Sequence, residues 1–405
     1  MHQPPVRPPA RVFVVCLLVV AGTVVWRRGT IFSGGLDAVV VGKAVVSVIA
    51  LLIAAATVRS GGPLRRLGTG SLWFLVAVLL AGLLGALGHG TLLAGGVVAV
   101  RVLILVATVF LLLRSTSGAD FFAGVVWASG SIAALAAVTG FPHLSSGRLE
   151  GGLPPLNPNE LAALAAVVVL WVAWRALLGA AGPADLVVAV AFTGVLWATG
   201  SRTALVVLVV AVVVMVVQVR RLPVGLVVGG LITVGLGALA AVSTGAVGEF
   251  AERDGAGAST LAARFIAWRA SLTWAEGPWQ TAFGGGLSVK LIPVEGQHWD
   301  TQLLDSSWVS ALVQSGVVGL AVALAWALWT CRGVLHVPPA DRLLLTGLLT
   351  FVLGRSVLES GLFDATPMAL TFVAVALLAE RGSRARPVVD DLGAALPGRL
   401  PSAGR

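Results

Sequence analysis

The stretch SLWFLVAVLLAGLLGALGHGTLLAGGVVAVRVLILVATVFLLLR, Ser71–Arg114, decides the fold. It holds two apolar blocks hinged at His89 and Gly90, and Arg101 is its only charged residue before Arg114. A helix needs about 20 apolar residues to cross a hydrocarbon layer about 30 Å thick. Within that layer a helix satisfies its backbone hydrogen bonds inside one segment, so it is the default spanning form. The stretch therefore predicts two consecutive membrane helices, at 72–88 and 90–112.

The rest of the chain repeats the pattern. Of its 405 residues 58% are apolar and 11% charged, against roughly 45–50% and about 25% in a soluble domain. That leaves too little polar surface to cover a water-soluble globule. A β-barrel would need short alternating strands, and the sequence offers none. Further spans are expected at 13–26, 35–57, 118–140, 159–174, 178–198, 203–219, 223–245, 307–330, 341–357 and 364–380. The expected fold is an all-α polytopic bundle of about 12 spans. The turn at Gly200 and Ser201 is read either as a loop or as a re-entrant feature. The run from Phe13 to Val25 follows Arg7 and Arg11, lacks a convincing cleavage site, and reads as an uncleaved first helix.

The formal charge of +9 does not indicate nucleic acid, because the arginines cap apolar blocks. With a cytoplasmic N-terminus, Arg7, Arg11, Arg59, Arg65, Arg66, Arg114, Arg175, Arg220, Arg221, Arg332, Arg342, Arg381, Arg384 and Arg386 all fall inside. Arg27, Arg28 and Arg148 form the short-loop set outside. This bias predicts both termini inside. The expected organisation is a cytoplasmic N-terminus (1–12), nine spans (13–245), a large extracytoplasmic loop (246–305), three spans (306–381) and a disordered cytoplasmic tail (382–405). Cys16 and Cys331 sit in or beside apolar runs, which argues against a disulfide framework.

Two outside segments exceed simple turns, Phe141–Asn159 and Gly245–Asp305, and long loops concentrate function. In the second, Leu261, Phe265, Trp268 and Leu272 recur at helical spacing and form one apolar stripe, with Arg264 and Arg269 off its centre. An amphipathic helix on the outer leaflet is expected, either as a lipid-headgroup platform or as a lid over the bundle. Trp274, Trp279 and Trp299 add interfacial character.

Charges at membrane depth need a reason, because each costs at least ~2.5–3.5 kcal/mol on insertion scales. Lys43 and Arg101 fall within spans, and Asp364 lies near the outer interface. Arg355 and Glu359 fit an i, i+4 pair or a direct role. Arg202, in GSRTA, stands at the outer start of a span, where a guanidinium beside helix-start N–H groups can hold a phosphate or simply reach the headgroups. Asp305 precedes the tenth span and reads as an N-cap or as a general base. Gly316 and Gly319 read as a close-packing surface on that span.

With these residues in view, the chain resembles the O-antigen ligase and O-antigen polymerase superfamily, from about the fourth span to the eleventh. The similar segments are GSRTA (Gly200–Ala204), RFIAWRASLTWAEGPWQTAFGGG (Arg264–Gly286), DSSWVSALVQSGVVG (Asp305–Gly319) and the loop stretch GRLEGGLPPLNPNELA. The resemblance implies a glycosyltransferase of the bacterial plasma membrane acting in cell-surface polysaccharide assembly. Its partners would be a polyprenyl-diphosphate-linked glycan donor, a glycan acceptor and membrane lipids. Arg202 and Arg264 would hold the diphosphate, and Arg148, Arg269, Arg355 and Glu359 complete the candidate substrate-binding set. The guanidiniums can stabilise the leaving diphosphate without a metal, and neither a metal nor a cofactor is expected. Where ligases carry a histidine this chain has Asp305, which favours a polymerase or another transferase with a carboxylate base; His298 is the alternative base. A secondary transporter with charges along its pathway and a non-catalytic scaffold remain as competing readings.

Overall fold

A computed structural model of the chain describes residues 7–27, 37–59, 64–219, 264–294 and 301–380. The ninth expected span (223–245), Leu261, His298, Trp299 and the tail at 382–405 lie outside the described residues. The structure is all-α apart from one small hairpin. Its helices are α1 (Ala10–Thr23), α2 (Ala38–Arg59), α3 (Gly70–Gly88), α4 (Leu92–Ser115), α5 (Gly118–Gly140), α6 (Pro158–Leu177), α7 (Pro183–Ala198) and α8 (Arg202–Val216). A helix at 264–272 (α9) follows, then α10 (Pro278–Phe283), α11 (Ser307–Val334), α12 (Pro339–Leu358) and α13 (Pro367–Ala379). Strands β1 (Leu291–Pro293) and β2 (Thr301–Leu303) pair antiparallel, with Ile292 opposite Gln302.

Among the described residues six helices, α2 to α6 and α11, are long and apolar enough to cross a membrane. Their starts carry local signals. Asn157 caps α6 by accepting from Glu160 N (2.8 Å), with Pro158 in the first turn. Ser117 caps α5 through Asp120 N (3.0 Å), and Thr366 caps α13 through Ala369 N (3.2 Å). Each satisfies an N–H that the helix itself leaves open. The seventh expected span began at 178, but α7 begins at Pro183 because a turn through Gly179 (φ 70°) intervenes.

Burial runs opposite to that of a water-soluble protein. Large apolar side chains such as Trp73, Leu93, Val138 and Leu328 are exposed, as they must be where lipid is the solvent. The centre is α13, which is buried at every residue from Pro367 to Leu377 and touches α3, α4, α11 and α12. At 13 residues it is about 20 Å long, shorter than the bilayer core, and its burial removes the need to match that thickness.

Hydrogen bonds sort the connections to two ends. At one end, Glu380 accepts from Gly70 N (3.0 Å) and from Ser71 N, completing the N-terminus of α3. There too Arg65 N donates to Arg114 O (2.8 Å), Trp174 Nε1 donates to Ala340 O (2.8 Å), and Arg175 pairs with Asp185 (3.2 Å). At the other end Leu149 N donates to Ala198 O (2.9 Å), Trp279 Nε1 to Leu84 O (3.1 Å) and Ser307 N to Glu359 O (3.1 Å). All the long connecting segments described therefore share this second end.

Gly316 departs from the expectation of a simple packing glycine. Its backbone (φ 66°, ψ −169°) breaks α11, in a region that only glycine occupies readily. The carbonyls around the break are taken by the glycine run after α10. Gly285 N donates to Val313 O (2.8 Å) and Gly286 N to Gln314 O (3.0 Å), while Gln314 Nε2 donates to Val289 O (2.8 Å). A Cβ at Gly316 would collide with the Ala282 backbone, and one at Gly284 with Gln314 and Ser315. The segment between α9 and α11 is thus docked to the bundle backbone to backbone. Gly316→Ala should cost at least ~1–3 kcal/mol and lower the thermal midpoint in detergent. Gly96→Ala, in α4 where an added Cβ meets nothing within 4 Å, should leave it unchanged or raise it.

Candidate functional site

The local folding of four segments brings their polar side chains to one point. The capped start of α6 presents Asn159 in its first turn. The end of α12 presents Arg355, and the chain leaves the helix at Glu359 in an extended conformation (φ −138°, ψ 139°). The first described residue of α9 is Arg264, and Asp305 closes the hairpin segment just before α11. Ser307 clasps this arrangement: its Oγ donates to Glu359 O (2.8 Å) and accepts from Leu362 N (3.1 Å).

Glu359 is the hub. Its Oε1 accepts from Asn159 Nδ2 at 2.7 Å and from Arg264 Nη2 at 3.1 Å. Arg264 Nε lies 3.5 Å from Asp305 Oδ2, an ionic contact too long for a good hydrogen bond. Arg355 Nη2 donates to Asn159 O (3.3 Å) and stands 3.9 Å from Glu359 Oε2. The i, i+4 pair inferred from spacing therefore exists, but it is the longest of the Glu359 contacts, because the helix has ended at Leu358. Arg148 extends the network, donating from Nη2 to Asn159 Oδ1 (3.3 Å) and from Nε to Thr199 O (2.8 Å).

Three guanidiniums (Arg148, Arg264, Arg355) meet Asp305 and Glu359, and the buried carboxylate of Glu160 on α6 also faces Arg355, so cations and carboxylates are equal in number. Arg355 Nε and Glu160 Oε2 are buried without a hydrogen-bond partner among the described residues, and Arg264 Nε has only its long ionic contact with Asp305. Guanidiniums held this loosely can turn to an anion. The two carboxylates differ in access, with Asp305 keeping 41% of its side chain exposed and Glu359 only 15%. Burial pushes the Asp305 pKa up, and the Arg264 guanidinium only partly reverses this. Burial likewise raises Glu359, against the pull of Arg355 and Arg264. The space enclosed by Ser307, Arg355, Ser356 and Glu359 is about 150 Å³ and too narrow to admit a water molecule.

The remaining sequence candidates fall around this hub. Arg202 starts α8, three residues after the Thr199 carbonyl that Arg148 grips, and its own N–H is spent on Gly200 O (3.1 Å). Arg269 is exposed on α9. Phe265 and Leu272 are also exposed, whereas Ala267 and Ser271 are buried toward Ile292, Leu304 and Val313 or within the α9 turn. The helix thus covers the bundle with one side and keeps its apolar stripe outward on the other. Asp305 does not serve as the cap of α11; Ser306 occupies that position, without a side-chain cap bond. A second ion pair, Lys290 with Asp364 (2.8 Å), anchors β1 to the turn before α13. Burial alone would raise the Asp364 pKa, but Lys290 and Arg101 outweigh it and hold the carboxyl well below its usual range.

Asn159 was not singled out by sequence reasoning. The signal was Asn157 and Pro158, which set the helix start and so place the next amide inward. Among the described residues no three His, Cys, Asp or Glu side chains gather as a metal site would need. No protein-family model matches the chain, and no curated protein matches it.

Removing the hub should be costly. Glu359→Ala leaves Arg264 and Arg355, with side chains 16% and 8% exposed, without their carboxylate. A stability loss of about 3–5 kcal/mol is expected, seen as a lower thermal midpoint of the purified protein. Asp305→Ala, at the exposed rim, should cost no more than about 1 kcal/mol.

Proposed function

We propose that the chain is a membrane glycosyltransferase that moves a glycan from a polyprenyl-diphosphate donor to a sugar hydroxyl during cell-surface polysaccharide assembly. In this reading it lies in the bacterial plasma membrane with about twelve spans and both termini inside. The hub-bearing end of the bundle is then the extracytoplasmic one. The observation that carries the reading is Arg264, whose guanidinium is held between buried Glu359 (3.1 Å) and the more accessible Asp305 (3.5 Å).

The donor diphosphate would take Arg264, with Arg202 and Arg148 beside it. Asp305 would accept the proton of the acceptor hydroxyl as its oxygen bonds to the anomeric carbon. The bond from that carbon to the diphosphate oxygen breaks, and the leaving diphosphate keeps the electron pair, stabilised by the guanidiniums. The two functions are coupled. Once Arg264 turns to the diphosphate, Asp305 loses the neighbour that lowers its pKa and becomes a stronger base. The charges of α2 and α4, Lys43 and Arg101, favour the second reading, a transporter of a lipid-linked sugar or small solute.

Purified protein given a polyprenyl-diphosphate oligosaccharide should yield longer glycans and free lipid diphosphate. Arg264→Ala and Asp305→Asn should each cut turnover by about 10²-fold or more while the protein still accumulates in the membrane. Unchanged polymer with Arg202→Ala would remove that residue from the site. Counterflow in proteoliposomes without any new glycosidic bond would favour the transporter. The rate should fall on the acid side at a pH above the ordinary Asp value of about 3.9, because the working form is the carboxylate and burial raises its pKa. Arg264→Gln removes the lowering influence, so in its residual activity this limb should move to higher pH.

A further inference from the structure

A cavity lies away from the hub, at the end of the bundle closed by the Glu380 clasp. It has a volume of about 600 Å³, within the roughly 300–1,000 Å³ typical of small-molecule sites. Its walls are Phe122 of α5, Trp174 of α6, Leu344 and Leu345 of α12 and Leu378 of α13. Its rim carries Arg65, Asp341 and His336. Arg65 is tethered by its backbone N–H to Arg114 O (2.8 Å) and by Nη1 to Thr116 O (3.5 Å), and it faces Asp341 across the rim. Trp174 has its only donor committed to Ala340 O, so it offers the cavity an apolar ring face.

We propose that this cavity holds one acyl chain of an aminophospholipid whose phosphate rests on Arg65 and whose ammonium meets Asp341. A space of this size with largely apolar walls does not hold water well, and it lies at the ends of α5, α12 and α13, beside Gly118, Pro339 and Leu378. The rim carries one cation and one carboxylate, which complements a headgroup with a phosphate and an amine. A lipid with a phosphate alone would leave Asp341 facing it. The site is separate from the proposed transfer chemistry, because Arg264 and Glu359 lie at the opposite end, so either assignment can fail alone.

The test uses the full chain in phosphatidylcholine vesicles, with a small share of phosphatidylethanolamine bearing a photoreactive acyl tail. Phosphatidylglycerol with the same tail is the comparison. Illumination should attach the ethanolamine lipid to peptides containing Phe122, Leu344, Leu345 or Leu378, several-fold more than the glycerol lipid. Arg65→Ala should reduce labelling by both lipids, and Asp341→Asn should erase the preference between them. Leu345→Trp, which fills the space, should block both. Labelling confined to outward residues such as Leu328, or equal labelling by the two lipids in the unaltered protein, would overturn the proposal. Labelling that appears only after removal of residues 382–405 would do so as well, since the occupant would then be the chain itself.

Discussion

A carboxylate placed among guanidiniums where water scarcely reaches is the interaction on which the outer end of this bundle depends. Glu359 joins α12 to the start of α6 through Asn159 and to the outer segment through Arg264. Its backbone carbonyl also receives the N–H and hydroxyl of Ser307, at the start of α11. Each charge here is tolerable only because another faces it. The pairing is also loose: Arg264 Nε stands 3.5 Å from Asp305 and Arg355 Nη2 3.9 Å from Glu359.

The glycine contact between α10 and the break in α11 gives that arrangement its frame. Side-chain packing between α9 and the hairpin could shift by small amounts, but hydrogen bonds from Gly285 and Gly286 to α11 carbonyls fix the chain more tightly. Arg264 and Asp305 lie on either side of this anchor in sequence, so their 3.5 Å approach is set by backbone geometry. The Lys290–Asp364 pair supplies a second fixing point on the same segment. Helix α9 packs on the bundle through Ala267 and shows Phe265 outward.

Much of the fold was legible because hydrophobic length is a direct physical requirement of a spanning helix. Blocks such as 72–88 and 118–140 fall within or close to α3 and α5. The start of α7 was not legible, because the turn at Gly179 lies in a run that stays apolar. The hairpin β1–β2 is too short to leave a pattern. At the site, Arg264 and Asp305 were picked out together and do meet. Arg355 and Glu359 were read as an i, i+4 pair or as direct participants, and they do pair at 3.9 Å; the bonds of Glu359 to Asn159 and Arg264 were not legible, since spacing says nothing about a chain that leaves its helix one residue earlier. Gly316 was read as a packing residue, since a positive φ leaves no trace in composition.

The burial of α13 bears on the order of assembly. This helix is the last one described in the chain, yet it fills the middle of the bundle against α3, α4, α11 and α12. During synthesis the earlier helices reach the membrane first and must wait with an unfilled groove between them. Lipid tails or a translocation partner would occupy that groove until Pro367–Leu377 arrives and displaces them. Completion of the hub is tied to the same event, because the turn from Glu359 to Thr366 is held between α12 and α13. The packing of the hub-bearing end is therefore finished only after Pro367–Leu377 has been made.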